Sequence, residues 1–257
     1  MKTIVLITFG FFAVGLYSCK DDSDRIDDPA VNETVELNYS FGANDEGWDA
    51  GIAGFPIEEE SLYEFETKQV TSPLDEDEGV LLLSASNPNE NLFMYASKHI
   101  TGLAPNSRYD ISYTVEFASS VEIDTTEMVT DTTGIGTDTP GVGSDTLGFV
   151  NVNDTVVIKA GATSEELVTE EDDLDFLQLV GIDVGEPGVD GDDLVVLGSF
   201  ASDTTSNGFT LHTASTETPI SIMTNGDGDL WLIVGAESFG IKTEIYINSI
   251  EVNIKKK

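Results

Sequence analysis

Three groups of residues could do chemistry in this chain. Cys19 is its only cysteine, and it stands immediately after a short apolar run from Ile4 to Leu16 that is headed by Lys2. Glu122-Ile123-Asp124-Thr125-Thr126-Glu127 sets three carboxylates within six residues. Two carboxyl groups about 5 Å apart, flanking a glycosidic bond, can divide the work of nucleophile and acid/base between them. Trp48, Phe55, Tyr63, Tyr95 and Trp231 form the third group. An aromatic face on a β-sandwich can stack on the C–H groups of a sugar while neighbouring polar side chains fix its orientation.

A lone cysteine excludes both a disulfide framework and a cysteine-ligated zinc site. The Lys2 n-region, the apolar h-region and Leu16-Tyr17-Ser18-Cys19 together predict a signal peptide over residues 1–18, because the apolar run is shorter than the roughly 20 residues that span a bilayer. Leu16-Tyr17-Ser18-Cys19 resembles the bacterial lipobox, in which cleavage precedes a cysteine that then carries lipid on its sulfur and on its new amino group. Lys20-Asp21-Asp22-Ser23-Asp24 resembles the lysine-plus-acidic tag of Bacteroidota lipoproteins sent to the outer face of the outer membrane. The resemblance implies a protein held in that membrane by acyl chains on Cys19 (a palmitate among them) and exposed to the exterior, since several acyl chains anchor stably where one does not. Residues 19–33, polar and acidic, are expected to form a flexible tether, and 34–257 a single domain.

The elements that must position any site are strands. Val35, Leu37, Tyr39 and Phe41 alternate with polar residues, as do Tyr109, Ile111, Tyr113, Val115 and Phe117. Period two predicts half-buried strands. Further apolar segments recur along the chain, separated by turn-forming clusters such as Ala104-Pro105-Asn106-Ser107 and Asn225-Gly226-Asp227-Gly228-Asp229. About ten short strands without an amphipathic helix predict an all-β fold, an antiparallel β-sandwich. The apolar phase of the last strand slips between Ile247 and Ile250, which predicts a bulge near Asn248-Ser249.

Four imperfect seven-residue units headed by Asp124, Asp131, Asp138 and Asp145 interrupt this pattern, so residues 119–148 form a repeat insertion. Its Thr, Gly and Pro exclude a helix and suit a solvated loop or a cation-stiffened projection. With 48 acidic against 11 basic residues the formal charge is -37, which repels nucleic acid, and the 40% apolar share excludes general disorder. The acidic runs at 75–78, 170–173 and 190–193 fit a solvated surface or weak Ca²⁺ binding. His99 and His212 have no nucleophile or acid beside them in sequence and are expected to be ordinary strand residues.

Ser40-Phe41 with Glu46-Gly47-Trp48, then Ile100 to Tyr109, then Glu244 to Val252, resembles in order the galactose-binding-like jelly rolls of many carbohydrate-binding modules. That resemblance implies a jelly roll, a glycan partner and the possibility of a structural calcium, with Trp231, Trp48, Tyr95 and Tyr63 as ligand-binding candidates. Gly47-Trp48, Gly54-Phe55-Pro56, Asn91 to Met94, Val157 to Ala162 and Leu230 to Gly235 are similar to a group of surface lipoproteins without established activity. Glu122 to Glu127 resembles the E-x-D-x-x-E strand of retaining β-glucan hydrolases, although Thr125 stands where that family has an apolar residue. The readings are therefore a non-catalytic glycan-binding lipoprotein, an adhesion or docking subunit of an outer-membrane complex, and a glycoside hydrolase using Glu122 and Glu127.

Overall fold

The computed structural model describes residues 24–31, 33–88, 92–122, 155–201, 209–238 and 240–257. In chain order the strands are β1 (Asp24–Arg25), β2 (Thr34–Ser40), β3 (Asp49–Ala53), β4 (Phe55–Pro56), β5 (Glu66–Thr71), β6 (Gly79–Ser86), β7 (Phe93–Thr101) and β8 (Arg108–Glu122). They continue as β9 (Thr155–Thr163), β10 (Val168–Glu171), β11 (Phe176–Val180), β12 (Leu194–Ala201), β13 (His212–Ser215), β14 (Ile220–Met223), β15 (Leu230–Ser238) and β16 (Lys242–Lys256). One 3-10 helix, Ile57–Leu62, is the only helical element among the described residues.

Two sheets face each other. One runs β1-β7-β15-β9-β12 with β3 also on β7; the other runs β13-β8-β16-β6-β5, with β14 also on β8 and β2 also on β16. The fold is an antiparallel β-sandwich, as period two predicts, of the jelly-roll type that the sequence resemblance implies. Tyr109, Ile111, Tyr113, Val115 and Phe117 on β8, with Ile245, Ile247, Ile250, Val252 and Ile254 on β16, all point into the core and are at most 2% exposed. The pairing of β16 with β8 shifts register between Ile247 and Ser249, which is the expected bulge. It returns Ile250 to the inner face after the slip in phase.

The strand count is sixteen among the described residues, not ten. The surplus is β1, β3, β4, β5, β10 and β11. β1, β4 and β10 are too short to show a period, β3 and β11 have only five residues each, and β5 is exposed along nearly its whole length.

The second difference concerns the tether, whose middle third, residues 24–28, is docked. β1 pairs in parallel with the end of β7, and Ile26 donates its amide to the Thr101 carbonyl. Tyr39 donates its hydroxyl to Asp24, and Lys98 lies 3.2 Å from the same carboxylate. Asp28 accepts from Tyr109 and from Lys256. Gly102 makes the approach possible: its φ is +94°, and a Cβ there would lie 2.2 Å from the Ile26 carbonyl oxygen.

Burial pushes the Asp28 carboxyl up, but hydrogen bonds from Lys256, Tyr109 and the Ala104 amide outweigh it and hold the group below its ordinary value of 3.8. A carboxyl depressed on folding contributes stability above its unfolded pKa and loses it as pH falls through the folded one. Amide exchange at residues 24–28 is therefore expected to accelerate selectively below about pH 4, and Asp28→Asn to abolish that dependence. Exchange that ignores pH would remove Asp28 as the clamp.

Candidate functional site

The outer face of the six-stranded sheet carries residues that the strand period sends away from the core. Trp231, Ile233, Gly235 and Glu237 lie on β15, opposite His99, Ser97, Tyr95 and Phe93 of β7 and opposite Thr163, Gly161, Lys159 and Val157 of β9. This face is not the open sheet that an exposed Trp231 would imply. Residues 164–193, including β10 and β11, fold back over its middle. Ile233, Phe93, Tyr95 and Leu194 form a second small core there, capped by Leu167, Leu179, Ile182 and Val184.

A buried ion pair fastens the lid. Lys159 is wholly buried and spends its three donors on the Val184 carbonyl at 2.8 Å, the Glu186 carbonyl at 2.9 Å and Glu237 Oε1 at 2.8 Å. The other Glu237 oxygen accepts from the Gly188 amide at 2.8 Å. Each charge thus has partners that compensate its removal from water. The acidic loop folds itself in the same way: Asp183 accepts from the Asp192 and Gly185 amides, Asp193 from Asp183, and Asp190 from Val196. Backbone hydrogen bonds hold the Asp172 and Asp183 carboxyls below the usual carboxylate range. The 190–193 run therefore acts as loop-forming hydrogen-bond acceptors. Among the described residues, no group of three or more His, Cys, Asp or Glu is gathered closely enough to hold a metal ion.

Where the lid stops short of the sheet's end it leaves a cleft of about 270 Å³. Phe93, Phe176, Leu179, Val184 and Pro187 give it apolar walls, and Gln178 and Glu237 give it polar groups. Phe93 reaches this position across Gly235, where a Cβ would lie 2.1 Å from its ring. Among the described residues, Glu237 is the only carboxylate lining the cleft.

The residues expected from sequence are dispersed. Trp48 is 4% exposed and meets Tyr39 edge-on at 5.4 Å, so it packs in the core and offers no stacking face. Tyr63 is fully buried against Phe55, with ring centroids 4.8 Å apart, and is likewise a core residue. Tyr95 is 9% exposed and lies beneath the lid, where burial and the nearby Asp49 raise its hydroxyl pKa. Trp231 is half-buried, and one of its faces is taken by His99, stacked at 4.3 Å and 5°. It lies six residues along β15 from Glu237, about 20 Å away, outside the cleft.

Asp229 lies 3.6 Å from His99 Nε2, and His212 packs between Phe117 and Phe200. Glu122 ends β8, whereas Cys19, Asp124, Glu127 and the repeat units lie outside the described residues. Sequence reasoning missed Phe93, Phe176, Gln178, Lys159 and Glu237. A signal existed for two of them: Lys159 and Glu237 are the lone charges inside the apolar runs of β9 and β15. Such charges are almost always paired.

No family model and no curated protein matches the sequence. Solved structures with a similar course of chain include a xylan-binding domain from Paenibacillus barcinonensis, at 11% identity and TM-score 0.34, covering 89% of this chain and 99% of that one. A mannan-recognising carbohydrate-binding module, TmCBM27, matches at 8% identity and TM-score 0.36, covering 88% and 99%. The enzymatically active domain of a tailspike protein from bacteriophage CBA120 matches at 10% identity and TM-score 0.32; 82% of this chain spans only 19% of that one.

Proposed function

We propose that this protein is a lipid-anchored, outward-facing binding module that holds a sugar residue, without altering it, in the cleft between lid and sheet. The observation that carries the reading is the fixed carboxylate of Glu237 among aromatic walls. Lys159 and Gly188 hold it in one orientation, so it can accept a sugar hydroxyl without being ordered first. Phe93 and Phe176 offer apolar surface to C–H groups, and the Gln178 amide offers both a donor and an acceptor. The volume is just under the ~300 Å³ at which pockets for larger ligands begin, so it suits one ring or a chain end and not a long polymer. Glycoside hydrolysis needs two carboxyl groups about a bond, and the described residues lining the cleft supply one. Anchoring rests on the lipobox-like Leu16 to Cys19 and the short apolar run before it.

A glycan array probed with the mature chain tests this reading. Phe176→Ala is expected to weaken binding by about 2 kcal/mol, roughly thirty-fold in Kd. Trp231→Ala, outside the cleft, is expected to leave affinity unchanged. Retention of no glycan, or sensitivity to Trp231 in place of Phe176, would refute it.

A further inference from the structure

We infer that the molecule has a membrane-facing pole, built from β1, the 102–107 turn, the 225–229 turn and the last residues of β16, which lies against the phosphate-rich headgroup layer around its own anchor. The inference rests on acylation of Cys19, as proposed above, and adds what neither the anchor nor the cleft implies: which end of the sandwich meets the lipid.

The first support is geometric. Four residues separate Cys19 from docked Asp24, so the leash reaches at most about 18 Å. Asp24 and Arg25 pair with Ile100 and Thr101, and Leu230 pairs with Ile100, which fixes the leashed end of the six-stranded sheet. Asn106 donates its amide to Asn225, joining the two turns at the same end, and Lys257 donates its amide to Arg108. Phe93, at the cleft, is the opposite end of β7 and about 27 Å from Thr101. A leash shorter than the strand cannot bring the cleft end down onto the anchor while β1 stays docked.

The second support is electrostatic. Cations are scarce in this chain, yet Arg25, Arg108, Lys255, Lys256 and Lys257 all stand at this pole. Lys256 and Lys257 are engaged with Asp28 and Asp110, while Arg25, Arg108 and Lys255 are exposed. Of the other described cations, Lys98 and Lys159 are buried and only Lys68 and Lys242 remain towards solvent. Asp24, Asp27, Asp28, Asp110, Asp227 and Asp229 stand at the same end, so the pole is close to neutral on a body of charge -37, and repulsion by anionic headgroups is least when this end faces them. The interaction decays within a Debye length of about 8 Å, so it acts only on side chains at the lipid surface. Leash and charge select the same pole, and the cleft then faces away from the membrane.

The absence of any cysteine besides Cys19 makes the test direct. The acylated mature chain is reconstituted in vesicles containing anionic phospholipid and headgroup-nitroxide lipid, with a fluorophore on either Asp227→Cys at the inferred membrane pole or Ala201→Cys at the far end of β12. Quenching several-fold stronger at Asp227→Cys is expected, with the contrast reduced when Arg108→Glu and Lys255→Glu are combined. Equal quenching at the two sites, stronger quenching at Ala201→Cys, or a contrast indifferent to the charge reversals overturns the inference. A chain whose mass shows no acyl group on Cys19 overturns the anchoring itself, and the inference with it.

Discussion

Lys159→Met is expected to lower the free energy of unfolding by about 3–5 kcal/mol, because it leaves the buried Glu237 carboxylate without its counter-charge. The ammonium has no exposed surface, and all three of its donors are used, so neither water nor a neighbouring cation can take its place. For a domain of this size the loss corresponds to a fall in Tm of about 6–20 °C. Two carbonyls of the lid lose their donor in the same substitution, so the 184–188 segment should lift and any cleft ligand should be released with it. Combining Lys159→Met with Glu237→Leu should recover much of the stability, since an apolar pair often replaces a buried ion pair at little net loss. It should not recover binding. Urea unfolding of the single and double variants separates these outcomes, and a loss under about 1 kcal/mol for Lys159→Met would mean the pair is solvated and the lid unseated.

The second large effect is expected at Gly161. A Cβ there would lie 2.0 Å from the Asp193 carbonyl oxygen and 2.9 Å from Leu194 Cα, both of them backbone atoms that no side-chain rotation can clear. Gly161 pairs with Leu194, so the clash falls where the lid returns to the sheet as β12. Its carbonyl also accepts the buried Tyr113 hydroxyl, which resists movement of β9 in the other direction. Gly161→Ala is expected to cost about 3 kcal/mol, the upper range for overpacking, and to accelerate amide exchange across 183–194. Gly226→Ala meets nothing within 4 Å and serves as the control, expected within about 0.5 kcal/mol of the parent. Equal stability of the two variants would contradict the close approach of lid and sheet.

The sandwich was legible in the sequence because its central strands are one-sided. The Tyr109 to Phe117 alternation and the phase slip in β16 each translate directly into inward-facing rows and a bulge. The site was harder to see. Aromatic residues are the first choice for a sugar platform, but Trp48 and Tyr63 are more valuable to the core, and period two does not say whether an outward face is open. What closes this face is the 164–193 excursion, rich in acid and short of apolar period, whose shape depends on side-chain-to-backbone hydrogen bonds and on two buried charges far apart in sequence. Lys159 could have been singled out as a cation in an apolar strand, yet its partner lies 78 residues away, and only the register of β9 with β15 joins them. Phe176 and Gln178 carry no sequence signal because β11 is too short to show one.

The position of β16 has a consequence for how the protein is made. This strand pairs along its whole length with β8, and on its other side with β6 and β2, yet it comprises residues 242–256. Until those residues leave the ribosome, the seven-stranded sheet lacks its middle, and β8 has no long partner to hold it. Long-range pairing of this kind closes slowly. Residues 34–241 alone should therefore fail to assemble the seven-stranded sheet, which closes only once 242–256 are available to sit between β8 and its neighbours.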